Sequence, residues 1–112
     1  MSSISTHILD TSKGSPAQDV HVILYQQQDN EWIEIASGKT NSDGRIPDLL
    51  SKETIINLGI YKLKFDTQQY FDAAYLETFY PYIEIIFEIK KDAHYHVPLL
   101  LNPFGYSTYR GS

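Results

Sequence analysis

Cysteine is absent from this 112-residue chain. That excludes a disulfide framework and any thiolate-ligated metal, and leaves the redox character of the compartment open. Positive charge is also scarce. Nine Lys and Arg are scattered against fourteen Asp and Glu, for a formal net charge of −5, so the dense cationic surface that a phosphate backbone demands is not expected, and no nucleic-acid partner is expected either. No apolar run has the length of a membrane-spanning helix, and no membrane partner is expected. The opening Met1-Ser2-Ser3-Ile4-Ser5-Thr6-His7 lacks both the basic start and the apolar stretch of a secretory leader, which makes cytoplasm the default location. Repeats, linkers and low-complexity segments are missing. So are the Gly-x-Ser-x-Gly elbow, phosphate-binding loops and dinucleotide fingerprints, so covalent serine chemistry has no support.

What is present has the size and balance of one globular domain, residues 1–112. Tyrosine is over-used, with nine Tyr against one Trp and five Phe. An apolar ring with a polar tip suits interfaces and wet cavities as well as cores. The hydrophobic pattern has a period of two almost throughout. Val20, Val22 and Leu24 alternate with His21, Ile23 and Tyr25. Glu31 to Ala36 is the expected partner strand, across a polar turn at Gln28-Asp29-Asn30. From Gly59, the residues Tyr61, Leu63 and Phe65 oppose Lys62 and Lys64. Ile83, Ile85, Phe87 and Ile89 oppose Glu84 and Glu88, while Ile86 interrupts the polar face, which is therefore expected to be covered in part. His94 to Leu101 is a further strand. The remaining segments read as turns, at Asp10 to Pro16, Asn41 to Gly44 and Asn102 to Gly105.

Thr67 to Leu76 differs. Phe71, Ala74 and Tyr75 recur at helical spacing, Asp66 or Thr67 is a suitable cap, and Pro81 lies beyond. With about seven or eight short strands and one short helix, the expected fold is all-β, a two-sheet Greek-key sandwich. Its exposed edges favour pairing between subunits.

The tail, Asn102 to Ser112, is rich in aromatic and hydroxyl residues and reads as a last strand. A strand held in a sheet would fix a carboxylate, a serine hydroxyl and an arginine in space. Elsewhere, His94 and His96 share one face of their strand while Tyr95 takes the other. Such a pair can hold a metal, but no carboxylate cluster accompanies it, and two hydrogen-bonded surface histidines are the plainer account. His21 reads as a solvated or satisfied histidine. His7 shares its side of the chain with Ser5 and Leu9 and could line a polar surface. Asn41-Ser42-Asp43-Gly44 is a turn that lacks the spacing and the closing Glu of a calcium loop. Arg45 follows it, a planar fork of donors suited to carboxylates or flat imide-like groups, or simply to a weak surface ion pair. Histidines, an arginine and terminal hydroxyls suit general acid–base attack of water on a polar ring.

Four blocks in order complete the reading. They are Ser5-Thr6-His7-Ile8-Leu9-Asp10 with Gly14-Ser15-Pro16-Ala17, then Thr40-Asn41-Ser42-Asp43-Gly44-Arg45-Ile46, then His94-Tyr95-His96-Val97-Pro98-Leu99-Leu100-Leu101, then Tyr106-Ser107-Thr108-Tyr109-Arg110-Gly111-Ser112. Together they resemble the 5-hydroxyisourate hydrolases, the transthyretin-like enzymes of purine breakdown. The resemblance spans the chain, and the Tyr-Arg-Gly-Ser ending alongside the other blocks is its most specific part. It implies a transthyretin-like sandwich of two four-stranded sheets, a homotetramer built as a dimer of dimers, and active sites in a channel between dimers. It implies hydrolysis of 5-hydroxyisourate, between urate and allantoin, with no cofactor and no metal. Carried over by position, His7 and His96 are catalytic together with Ser112, while His7, Arg45, Tyr109 and Arg110 bind substrate. Asn102 departs from the small hydroxyl residue common there, in a turn that suits Asn. The rival reading is a transthyretin-type carrier of a small ligand, which shares the fold but lacks the histidine pair, the arginine and the Tyr-Arg-Gly-Ser ending.

Overall fold

A computed structural model describes residues 3–47, 49–50 and 54–111. It contains eight strands: β1 (Ser3–Asp10), β2 (Ser15–Pro16), β3 (His21–Gln28), β4 (Glu31–Lys39), β5 (Gly59–Asp66), β6 (Ile83–Ile89), β7 (His94–Asn102) and β8 (Gly105–Thr108). One helix, α1 (Thr67–Ala73), follows β5 directly. The strands form two four-stranded sheets, ordered β2-β1-β7-β8 and β4-β3-β5-β6. The expected two-sheet sandwich with one short helix is what the chain adopts.

Alternation builds the core. Ile4, Ile8, Tyr95, Val97, Leu99 and Leu101 from the first sheet meet Val22, Leu24, Tyr61, Leu63, Phe65, Ile83 and Ile89 from the second, all buried. Burying one such side chain contributes roughly 1.5–3 kcal/mol, so this shared interior holds the two sheets face to face. Because the side-chain period is two, committing Ile4, Thr6 and Ile8 of β1 to the core turns Ser3, Ser5 and His7 outward.

The β3–β4 hairpin turns at Asp29 and Asn30, both with positive φ (52° and 66°), as a tight hairpin requires and as Asp and Asn tolerate. The helix is shorter than its sequence periodicity suggests. Phe71 is fully buried, but Tyr75 lies beyond the helix with φ of 58° and is 97% exposed. Its left-handed backbone lets the Leu76 N–H return to the Phe71 carbonyl at 3.0 Å, closing the helix end. Asp66 occupies the N-cap position without a side-chain cap bond. Thr67 instead sends its hydroxyl to the Tyr80 carbonyl at 2.8 Å, tying the helix start to the segment before β6.

One expectation needs correction. Ser15–Pro16, read as part of a turn, forms a short antiparallel pair with Leu9 and Asp10 of β1. Ile86 is 60% exposed within one chain. The tail also divides. Asn102 accepts the Phe104 N–H through its side chain at 3.0 Å, and β8 then pairs back along β7 only as far as Thr108 opposite Leu99. Pro98 explains the stop, because it has no N–H to offer a strand on that side. Thr108 compensates by donating its hydroxyl to the Pro98 carbonyl at 2.6 Å. Beyond the gap, Gly111 rejoins β7 in the same register, its N–H on the His96 carbonyl at 2.8 Å.

Candidate active site

The N-terminal and C-terminal parts of the chain meet because β1 and β7 pair in parallel, with Ser3 opposite His94, Ser5 opposite His96 and His7 opposite Pro98. His7 and His96, far apart in sequence, thus become diagonal neighbours on the outer face of one sheet. Each is flanked by a returning segment. Arg45 bridges to His7 on one side, and Gly111 bridges to His96 on the other.

The Arg45 flank is built by a tight turn. Asn41 accepts the N–H groups of Asp43 (2.9 Å) and Arg45 (3.2 Å) through its side-chain oxygen, and gives its own N–H to the Arg45 carbonyl at 2.7 Å. Gly44 has φ of 74°, and its carbonyl takes the Ile8 N–H at 2.9 Å. A side chain there would sit 2.4 Å from the Ile8 carbonyl oxygen and 3.3 Å from the His7 ring. Glycine is what lets the turn press against β1 and deliver Arg45 beside His7. Arg45 is exposed, with no carboxylate among the described residues at ion-pair distance. The plain surface-salt-bridge reading of this arginine is therefore not what the structure contains.

The Gly111 flank is closer still. A Cβ on Gly111 would fall 2.5 Å from Cδ2 of His96 and 3.3 Å from Cγ of Pro98. The tail backbone therefore lies directly on the His96 imidazole and limits its rotation. Behind that ring, Ser5 Oγ contacts Nδ1 of His96 at 2.8 Å and Nε2 of His94 at 3.0 Å, and Ser3 Oγ contacts Nδ1 of His94. The two rings stack with centroids 6.4 Å apart and planes 14° apart. His94 and His96 share a face, as their spacing implies, but they share a serine hydroxyl there.

Burial holds His96 below the ordinary imidazole range, and the nearby charges of Arg45, His94 and His7 act in the same direction. His96 is thereby kept neutral near physiological pH. A neutral imidazole carries one donor and one acceptor nitrogen, the form needed for proton transfer in either direction.

The other sequence candidates divide. Tyr109 is exposed, and Arg110 lays its guanidinium 4.5 Å from the centre of the Tyr95 ring. Tyr95 leaves β7 on the core side, opposite His96, so within one chain Arg110 turns away from His7 and Arg45. Both tail residues, with Phe87, Tyr95 and Val97, line a mainly apolar cleft of about 260 Å³ that also reaches His96. Ser112 lies outside the described residues. The sequence points to His7, His96 and Arg45 individually, to Gly44 only as a turn residue and to Gly111 only within the tail motif, and it assigns Ser5 no role. The signal for Ser5 was its place two residues before His7, on the same face of a strand, but it becomes telling only once β1 is known to lie beside β7.

The architecture is a transthyretin-type sandwich with an imidazole–guanidinium cluster on the outer face of one sheet. Residues 4–111 match the HIUase/Transthyretin family, and the chain belongs to it. It is 48% identical over 110 residues to the 5-hydroxyisourate hydrolase of Salmonella typhimurium, covering 97% of this chain and 80% of that protein. Its fold superposes on the structure of Klebsiella pneumoniae 5-hydroxyisourate hydrolase with a TM-score of 0.87 at 39% identity, over the whole of both chains. It superposes on transthyretin from Sparus aurata with a TM-score of 0.89 at 32% identity, covering 96% of this chain and 95% of that one.

Proposed function

We propose that this chain hydrolyses 5-hydroxyisourate, opening its ring to give 2-oxo-4-hydroxy-4-carboxy-5-ureidoimidazoline on the route from urate to allantoin. The observation that carries this reading is the convergence of His7, His96 and Arg45 on one sheet face, each fixed by backbone pairing. Hydrolysis of a cyclic amide needs a base for water, a stabiliser for the developing oxyanion and a proton for the leaving nitrogen. His7 takes the proton from the attacking water. Arg45 holds the substrate's oxygens and the charge that grows on them, a task suited to a forked, permanently charged donor. His7 then returns that proton to the departing ring nitrogen, and His96, neutral and clamped by Ser5 and Gly111, holds that nitrogen through a donated N–H hydrogen bond. The water oxygen bonds to the ring carbonyl carbon and the carbon–nitrogen bond breaks, so one water is consumed and no other reactant is required.

We further propose a homotetramer, a dimer of dimers, with Tyr109 to Ser112 completing the pocket where subunits meet and Ser112 supporting His7. Within one chain Arg110 lies over Tyr95, away from His7 and Arg45, so its contact with substrate belongs to that assembly. The absorbance of freshly generated 5-hydroxyisourate tests the activity. With the protein present it should decay much faster than spontaneously. Binding without accelerated decay would instead indicate a carrier of the transthyretin type. Deleting Tyr109 to Ser112 and measuring both rate and molecular size separates a tail that builds the pocket from one that only pairs a strand.

A further inference from the structure

On the outer face, Ser3 and His94 have no part in the scheme above, and Ser5 enters it only as a contact of His96. They form one line with His96. Ser3 Oγ meets Nδ1 of His94, Nε2 of His94 meets Ser5 Oγ at 3.0 Å, and Ser5 Oγ meets Nδ1 of His96 at 2.8 Å. A serine hydroxyl has a single proton, and a neutral imidazole carries a proton on one nitrogen only. If Ser5 donates within the line, the contacts close in one of two opposite senses. Either every proton points toward His96, leaving the His96 proton on Nε2, or every proton points toward Ser3, leaving Nε2 bare.

We propose that Ser5 and His94 are positioning residues that hold His96 in its Nε2-protonated form. His94 gives its Nε2–H to the Ser5 oxygen, Ser5 gives its hydroxyl proton to Nδ1 of His96, and the His96 proton is left on the nitrogen that no residue of the line occupies. This inference rests on the ring-opening reading, in which His7 carries the proton from water to the departing nitrogen and the second histidine must donate a hydrogen bond there. A bare Nε2 could not do so. His94 is exposed and stacks beside His96, but its hydrogen-bonded link to that ring passes through Ser5.

The test combines nitrogen NMR of the histidine side chains with kinetics. In the unaltered protein, Nε2 of His96 should show the shift of a protonated ring nitrogen and Nδ1 that of an acceptor. Ser5→Ala should mix the two tautomers and lower kcat roughly ten- to hundredfold, part of what a positioned hydrogen-bond donor supplies, with KM little changed. Ser5→Thr, which keeps the hydroxyl and suits a strand, should restore both tautomer and rate. His94→Phe should shift the tautomer balance in the same direction as Ser5→Ala, by less. A His96 proton on Nδ1 in the unaltered protein, or a tautomer indifferent to Ser5→Ala and His94→Phe, would overturn the proposal. The NMR result does not need the substrate. An unaltered protein without hydrolase activity would therefore refute the ring-opening reading separately.

Discussion

The outer faces of the two sheets use similar side chains to opposite ends. On the β4-β3-β5-β6 sheet, Lys62 is buried although it points outward. Its ammonium lies 4.8 Å from the centre of the Tyr25 ring, 4.6 Å from that of Trp32 and 3.0 Å from a Glu84 oxygen. Two aromatic faces and one carboxylate satisfy it completely. On the β2-β1-β7-β8 sheet, Arg45 stands exposed without a carboxylate among the described residues, and His96 is held at one nitrogen while the other remains for a ligand. A cation sealed by its neighbours is architecture. A cation and a half-engaged imidazole, fixed in place but left with unused hydrogen-bonding capacity, are what the proposed site is made of.

The sharpest way to break this comparison is to remove His7. His7→Asn keeps a polar side chain on the same strand face and should leave size and fold unchanged. Turnover should fall about 10²- to 10⁴-fold, the usual contribution of a positioned general base. Near-normal decay of 5-hydroxyisourate by the variant would refute the base assignment.

The position of His7 shows how far the sequence could be read. Alternation within Ile83–Ile89 and His94–Leu101 was plain, because one face of each strand is apolar and the other mostly is not. The two-sheet class followed from that pattern. Helix length was harder to read, since the helical spacing of Phe71, Ala74 and Tyr75 continues past a left-handed residue that ends the helix. The site was legible as a set of residue types and as a family resemblance, not as a place. Nothing local in Ser5-Thr6-His7 announces a parallel neighbour ninety or so residues away. Gly111 was legible only as part of a motif. That it must be glycine follows from the His96 ring beneath it, a tertiary fact.

Gly111 provides the next test, smaller because no reacting group is lost. Gly111→Ala places a methyl 2.5 Å from Cδ2 of His96, so either the ring turns or the tail lifts. A displacement near 1 Å in a catalytic group costs on the order of a hundredfold in rate. Gly105→Ala is the control in the same tail, since its new methyl would meet Asn102 at 3.6 Å, an ordinary contact. Loss of activity in the first variant and not the second, with equal thermal midpoints, would confirm that the tail positions the imidazole. Equal activity in both would mean that Gly111 does not hold the ring.

On the opposite sheet, Lys62→Met should change very little. It removes the Glu84 pairing and the ring contacts, but also the cost of keeping an ammonium out of water, and the Glu84 side chain left behind is 38% exposed and regains water, so no charge is stranded in the interior. Stability should stay within about 1 kcal/mol by denaturant unfolding, with turnover unaltered. A large fall in kcat would show that the two faces are coupled, and the contrast between architecture and site would collapse.

The mildest perturbation alters no covalent structure and asks whether His96 resists a second proton. Burial, followed by the charges of Arg45, His94 and His7, lowers its affinity for protons, so its NMR titration midpoint in the folded protein should lie below the value of about 6.5 expected for the unfolded chain. The sign of the stability effect follows. As pH falls past the unfolded value, the unfolded chain binds the proton first, so stability is undiminished above that pH and declines from there toward the folded midpoint. Arg45→Met removes one of the opposing charges and should raise the midpoint, while Lys62→Met, on the other sheet, should leave it in place. A folded midpoint at or above the unfolded value would mean that this imidazole is simply solvated. On one face a charge is accepted because its surroundings compensate it. On the other a charge is refused, and the refusal leaves His96 with a donor at one ring nitrogen and an acceptor at the other.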